Sequence, residues 1–218
     1  MFKTRGLLVS LEGIDGCGKS TQMELLQNKL SQKNISFISV REPGGTAAGE
    51  GIREVLLQTS YAITAEAELL LYMAARAELS RQVIIPALTE GKLVLCDRFT
   101  DSTLAYQGYG GGMDLRWIDQ LNWRATGSRL PDLTFLLDLS LEEAAARRGN
   151  NSDRMEKKDL SYHIRVRQGY LDIARREPER MIVLDAAVSE DKLATLLWQE
   201  LWPYMEELFK MRTDHEFQ

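Results

Sequence analysis

The sequence predicts a three-layer α/β fold, with five parallel strands in one doubly wound sheet and helices on both faces. Three observations predict it. Short apolar runs rich in Leu, Val and Ile recur along the 218 residues, longer stretches with helical spacing separate them, and the first run passes through a glycine-rich turn into a helical pattern. Strands that alternate with helices are joined by crossovers, which return each strand parallel to the last.

Strands are expected at Leu7 to Leu11, Ile35 to Val40, Leu93 to Cys96, Leu133 to Leu137 and Met181 to Leu184, each about strand length. Helical spacing occupies Ser20 to Lys33, Ala65 to Thr89, Leu115 to Thr126, Leu141 to Arg148, Leu160 to Arg176 and Asp191 to Lys210. The apolar residues of the last stretch, Leu196 to Trp202, read as the packed face of an amphipathic terminal helix. Two polar segments, Pro43 to Gly51 and Gly149 to Lys158, have the composition of mobile loops around a site. The second, with the helix end before it, is expected to form a small lid over roughly residues 147–158. No repeat or low-complexity linker divides residues 1–218, so one domain is expected.

With 44% hydrophobic and 27% charged residues, the chain has the composition of a globular protein able to bury a core. A net charge of -5 argues against a surface that coats nucleic acid and leaves a small anionic substrate open. The first apolar run, broken by Ser10 and stopped by Glu12, is too short for a membrane span, and no membrane partner is expected. Cys17 and Cys96 fit no zinc spacing and read as free thiols of a cytoplasmic protein. His163 and His215 lack a ligand arrangement and read as structural or solvated.

The first apolar run leads into Gly13-Ile14-Asp15-Gly16-Cys17-Gly18-Lys19-Ser20, with Thr21 continuing into the helix. This is the phosphate-loop pattern in its required order of strand, loop and helix. Glycines let successive backbone N–H groups curl around phosphates, Lys19 reaches the β and γ groups, and Ser20 holds Mg²⁺. ATP and Mg²⁺ are therefore expected. Asp15, among phosphates and metal, contacts metal or acceptor. The loop by itself also serves nucleotide switches and nucleic-acid ATPases.

Four further segments narrow the reading: Arg41-Glu42-Pro43-Gly44-Gly45-Thr46, Tyr72 to Arg76, Asp97-Arg98-Phe99-Thr100-Asp101-Ser102, and Ala105-Tyr106-Gln107-Gly108. Asp97 ends an apolar strand, where phosphate-loop enzymes place the carboxylate that orients Mg²⁺ or its bound water. Arg98 and Arg41 each offer a planar fork suited to phosphate. Tyr72 and Arg76, four residues apart, project from one helix face. Asp101 and Ser102 also suit a helix cap.

Together with the phosphate loop, these segments closely resemble the bacterial thymidylate kinase family, in order from about Arg5 to Ala186. The resemblance implies a phosphate-loop kinase fold, dTMP and ATP as substrates, and a homodimer. It implies that Arg41 and Arg98 hold the acceptor α-phosphate and that Pro43 follows a cis peptide. It implies that Tyr72 stacks on the base while Arg76 donates to pyrimidine O4, which cytosine replaces with an opposed donor. Ser102 and Thr103 match base-contacting positions, Tyr106 matches a tyrosine near the sugar C2′, and Gln107 continues that segment. Another nucleoside monophosphate kinase, such as a UMP kinase, is the alternative.

Phosphoryl transfer also asks for a mobile arginine, and the phosphate loop contains none. Arg147-Arg148-Gly149-Asn150-Asn151-Ser152-Asp153-Arg154-Met155-Glu156 supplies candidates and resembles the bacterial subtype with a catalytic arginine in the lid. Arg148 is the first candidate and Arg154 the second. Positive charge at a helix end would account for Arg147 and Arg148 without catalysis.

Overall fold

Each of the five apolar runs becomes a strand whose carboxyl end extends to a charged residue: β1 (Leu7–Glu12), β2 (Phe37–Arg41), β3 (Leu93–Asp97), β4 (Leu133–Asp138) and β5 (Met181–Asp185). All neighbours pair in parallel in the order β2-β3-β1-β4-β5. β1 is central, and the chain crosses it between β3 and β4, so the strand order reverses beside it. Ligands of such sheets bind outside the carboxyl ends at this reversal. The computed structural model describes residues 6–58, 60–147, 154–155 and 157–216, with side chains as far as Glu206.

Helices cover both sheet faces, which is why β1 is buried along its whole length rather than alternating. Leu7, Val9 and Leu11 point into the larger core with α1 (Lys19–Gln32), α8 (Leu160–Arg176) and α9 (Glu190–Glu216). Leu8, Val94 and Cys96 point the other way, against Leu79, Ile84 and Leu88. One close approach lies between α8 and the Tyr106–Gln107 segment. A Cβ on Gly169 would stand 2.5 Å from the Tyr109 ring, so only glycine lets the helix seat there.

Two expectations are corrected. The stretch Ala65 to Thr89 is not one regular helix: α3 (Ala65–Leu79) passes through a π-helical turn (Ser80–Ile84) into α4 (Ile85–Thr89). Pro86 has no N–H and its ring crowds the carbonyl four residues back, so the bonding slips and Ile85 N–H donates to Ser80 O. The polar segment Pro43 to Gly51 is not all loop, because α2 (Ala47–Leu57) starts within it. Thr46 caps that helix by accepting the Gly49 N–H at 2.9 Å. Between β3 and α6 (Leu115–Ala125) lie α5 (Thr100–Thr103) and a second π-helical stretch (Leu104–Gly110) carrying Tyr106 and Gln107. After β4 comes α7 (Leu141–Arg147).

Candidate active site

The carboxyl ends of β1, β2 and β3 open into a cleft of about 980 Å³. Its wall runs from the phosphate loop through Arg41, Pro43, Tyr72, Arg76, Asp97, Arg98, Ser102, Thr103, Tyr106 and Gln107 to Ala186–Glu190. Asp15, Gly16, Cys17, Gly18, Lys19, Ser20 and Thr21 all line it, so one space gathers segments far apart in sequence. Gly13 and Ile14 do not. Ile14 is buried in the core, and both contribute carbonyls that accept from Lys19 Nζ, at 3.1 and 3.0 Å.

Glycine is required in the loop for two different reasons. Gly13 has φ 139°, and a Cβ there would meet Leu137 O at 2.6 Å. Gly18 has φ 98° and caps α1, yet a Cβ there would meet nothing within 4 Å. That open side of the cradle is where successive N–H groups receive phosphate oxygens at a helix start.

Arg98 is the centre of the charge arrangement. Held at φ 69°, it donates through Nη1 to Gly13 O at 2.9 Å and ion-pairs through Nη2 with Asp15. The same guanidinium reaches Ser102 Oγ, Tyr170 OH and Tyr106 OH at 3.2, 3.2 and 3.3 Å. Tyr106 in turn donates to Asp15 Oδ2 at 3.1 Å. Burial alone would raise the Asp15 pKa, but Arg98 and Lys19 outweigh it and hold the carboxyl well below the usual range. Burial likewise disfavours the Arg98 charge, but Asp15, with Tyr106, Tyr170 and Asp97 adding to it, holds the guanidinium pKa above its ordinary value, so the pair stays ionised.

Arg76, expected to donate to pyrimidine O4 beside Tyr72, is held inside the protein. It is 1% exposed, and all five of its N–H groups are engaged by protein. Nε and Nη2 meet Glu42 Oε2, Nη2 also meets Phe99 O, and Nη1 meets Thr103 Oγ1 and Asn122 Oδ1 at 2.8 and 2.6 Å. Its first role is therefore to tie α3, the β2 loop, α5 and α6 together around the acceptor side. Thr103, having accepted from Arg76, still has its own proton to donate.

The peptide between Glu42 and Pro43 is cis. Arg53 Nη1 donates to Pro43 O at 2.8 Å. Arg41, largely exposed, pairs with Glu50 at 3.3 Å, and the same Glu50 carboxylate accepts the Gly45 N–H at 2.8 Å. Asp101 does not cap a helix. It is fully buried and receives both Nη groups of Arg180 at 2.8 and 2.7 Å, which anchors the Arg98 corner to the sheet.

The donor set for Mg²⁺ passes a direct test. Asp97 Oδ1 is buried without a hydrogen-bond partner, and Ser20 is exposed at the start of α1. Hard oxygen donors of this kind suit Mg²⁺. Among the described residues no cluster of three or more metal-ligating side chains occurs, and Mg²⁺ commonly needs only one or two protein oxygens when substrate phosphates supply the rest.

The arginine candidates separate. Arg154 does not line the cleft: it donates to Leu56 O at 2.8 Å and pairs with Glu68 at 2.6 Å, while Gln107 Nε2 donates to the other Glu68 oxygen at 2.8 Å. A guanidinium committed to α2 and α3 is not available to the phosphate loop, which corrects its expected catalytic place. Arg148 lies outside the described residues. Arg147, expected as part of the arginine-supplying segment or else as helix-end charge, lines the cleft and donates to Ala186 O at 3.0 Å. Glu12, Glu42 and Tyr170 are further contributors that sequence reasoning missed. Glu12 carried a signal as a carboxylate placed directly before the phosphate loop, and Glu42 lay within the Arg41 to Thr46 segment without a role assigned to it; Tyr170 carried none.

A parallel sheet with a phosphate cradle at its reversal, facing a second cationic end built from Arg98 and Arg41, defines a phosphate-loop phosphotransferase of the nucleotide-kinase type. The comparisons specify which. The family model described as thymidylate kinase matches residues 11–196. A thymidylate kinase of Kosmotoga olearia is 47% identical over 189 residues, covering 86% of this chain and 91% of the relative. That of Pelotomaculum thermopropionicum is 49% identical over 190 residues, covering 85% and 88%. The crystal structure of thymidylate kinase from Ehrlichia chaffeensis superposes with a TM-score of 0.76 at 35% identity, covering 91% of this chain and 99% of that one. The chain belongs to the thymidylate kinase family.

Proposed function

We propose that the protein transfers the γ-phosphoryl group of Mg-ATP to dTMP, giving dTDP and ADP. The observation that carries this reading is the Arg98–Asp15 pair, which joins the acceptor corner to the phosphate loop through Gly13 O. That link supports a reading in which the two phosphate-binding ends of the cleft lie side by side, as in-line transfer needs.

The loop N–H groups and Lys19 hold the β- and γ-phosphates, and Arg98 and Arg41 take the acceptor phosphate. An acceptor phosphate oxygen, already ionised, attacks the γ-phosphorus while the bond to the leaving β-phosphate oxygen breaks. No general base is needed. Ser20 and Asp97 would hold Mg²⁺, with Asp15 as a further candidate, and the ion when bound neutralises charge on the β and γ oxygens. Arg148 supplies the remaining positive charge from the lid.

On the base side, Tyr72 stacks on the ring, and the Arg76–Thr103 pair meets O4, with the donated proton coming from Thr103 or from an Arg76 N–H it shares. Tyr106, held by Asp15 and Arg98, crowds the position of a ribose 2′-hydroxyl. A single methyl separates thymine from uracil and is worth only about 1–3 kcal/mol, so residual dUMP turnover is part of the reading.

The chain is further read as a cytoplasmic homodimer. Leu70, Trp117 and Trp123 leave apolar surface on α3 and α6, which suits a second copy, and both cysteines are free. Sedimentation at micromolar concentration tests the dimer. Among the described residues no helix is long and apolar enough to cross a membrane.

The test is parallel phosphorylation of dTMP, dUMP, UMP, CMP and AMP with Mg-ATP, with Asp15→Ala as control. dTMP is expected to dominate. ATP hydrolysis with no monophosphate turnover would remove the acceptor assignment, and strong UMP turnover would favour a ribonucleotide kinase.

A further inference from the structure

Glu12 ends β1 directly before the phosphate loop, is fully buried, and is absent from the cleft wall. It nevertheless sits behind Arg98. Its Oε1 accepts the Phe99 N–H at 2.7 Å, and its Oε2 accepts the Ser102 hydroxyl at 2.6 Å and the Tyr170 hydroxyl at 2.9 Å. Those two hydroxyl oxygens are 2.8 Å apart, and each accepts from Arg98 Nη1 at 3.2 Å.

The proton order in this cluster follows from chemistry. An ionised carboxylate only accepts, so both contacts to Oε2 use hydroxyl protons, one of them shared with the neighbouring hydroxyl oxygen. Each hydroxyl has one proton and two lone pairs. With the protons directed at Glu12, both oxygens turn lone pairs toward the guanidinium. We propose that Glu12 is a positioning residue for acceptor binding, whose carboxylate orders the Ser102 and Tyr170 hydroxyls so that they fix Arg98 where the acceptor phosphate arrives. This rests on the reading of Arg98 as an acceptor-phosphate donor.

Glutamine at this position cannot reproduce the order. With its oxygen in the place of Oε2, its NH₂ group faces the Phe99 N–H, donor against donor. With the amide turned over, the NH₂ group occupies the hydroxyl lone pairs and sends hydroxyl protons toward Arg98. Either orientation loosens the guanidinium. Protonation of Glu12 introduces the same kind of donor. Asp101, Arg98, Cys96, Tyr170 and the Ser102 hydroxyl face the carboxyl. Burial first and then Asp101 push its pKa up to about 7, against Ser102, Arg98 and the Phe99 N–H.

The experiment measures KM for dTMP and for ATP in the wild type, Glu12→Gln, Tyr170→Phe and Arg98→Ala, with a thermal melt of each. Glu12→Gln is expected to raise the dTMP KM about tenfold, the worth of a net hydrogen bond, while the ATP KM stays within about twofold. Tyr170→Phe, which keeps the buried ring, is expected to raise the dTMP KM by a smaller factor of about three. The ratio of Glu12→Gln to wild-type dTMP KM should shrink below pH 6, where the wild-type carboxyl is itself protonated, and the acceptor's own titration cancels in that ratio.

A folded Glu12→Gln variant with unchanged dTMP KM, or with both KM values raised equally, overturns the proposal. If Glu12→Gln does not fold, Tyr170→Phe decides, and an unchanged dTMP KM there overturns it. Arg98→Ala separates the two readings. If it leaves the dTMP KM unchanged, the acceptor assignment falls and the proposal with it. If Arg98→Ala raises the KM and the other two variants do not, only the proposal falls.

Discussion

Glu42 and Arg76 form an ion pair inside the protein, their side chains 4% and 1% exposed, and the pair binds the loop after β2 to the middle of α3. Burial raises the Glu42 pKa and Arg76 opposes that rise, so the carboxylate depends on its partner. Removing one member leaves an uncompensated buried charge. Glu42→Ala is therefore expected to cost about 3–5 kcal/mol in urea unfolding. A loss below about 1 kcal/mol would mean that water reaches Arg76 readily.

Thr103 accepts from Arg76, and its own proton is the one proposed to meet the base. Thr103→Val retains the shape and removes the hydroxyl. The dTMP KM is expected to rise about tenfold, with the ATP KM unchanged. Equal KM values in both proteins would return O4 recognition to Arg76 alone.

Asp97 carries an oxygen with no partner inside the protein. Asp97→Asn keeps the size and removes the charge, and is expected to lower turnover and Mg²⁺ affinity by about 10–100-fold. A Mg²⁺ titration of activity reads the change directly. An unchanged midpoint would place the ion elsewhere.

The two arginines offered as catalytic candidates, Arg148 and Arg154, should behave differently. Arg154 is committed to Glu68 and Leu56 O, so Arg154→Lys is expected to keep kcat within a few-fold. Arg148→Lys is expected to lower kcat on the order of 10³-fold, as loss of an arginine at a transferring phosphoryl group does. Retained turnover in Arg148→Lys would refute dependence on its fork.

Two carboxyls make stability depend on pH with opposite signs. The folded Glu12 pKa, about 7, lies above its ordinary 4.5. Its stabilising contribution is thus complete below pH 4.5 and is lost as pH rises through about 7, a change of about 3 kcal/mol. The Asp15 pKa is depressed, so its contribution is present above its ordinary 3.8 and is lost as pH falls. Urea unfolding from pH 4.5 to 8 should show the Glu12→Gln variant gaining on the wild type as pH rises. A constant difference across that range would refute the Glu12 assignment.

The parallel sheet was legible because five apolar runs alternate with helical spacing, and the phosphate loop because glycine, lysine and serine occur in a fixed local order. Strand ends were read one residue short, since the pattern stops at the last apolar side chain while the ladder continues to Glu12, Arg41, Asp97, Asp138 and Asp185. α2 was partly hidden because Gly49 and Gly51 weaken helical spacing, although Thr46 gave a cap. The π-helical turn at Ser80–Ile84 depends on how the chain accommodates Pro86, which spacing does not display.

The chain by itself determined its strand and helix alternation, its phosphate cradle and the segments that form the acceptor side, because these follow from short-range rules of burial and backbone conformation. Tertiary structure decided which charges are free. It spent every donor of Arg76 inside the protein, held Arg154 on Glu68, and set Tyr170 against Glu12 across 158 residues of sequence. Hydrogen-bond partners and desolvation depend on which elements the fold brings together, and no local pattern of residue types contains that information.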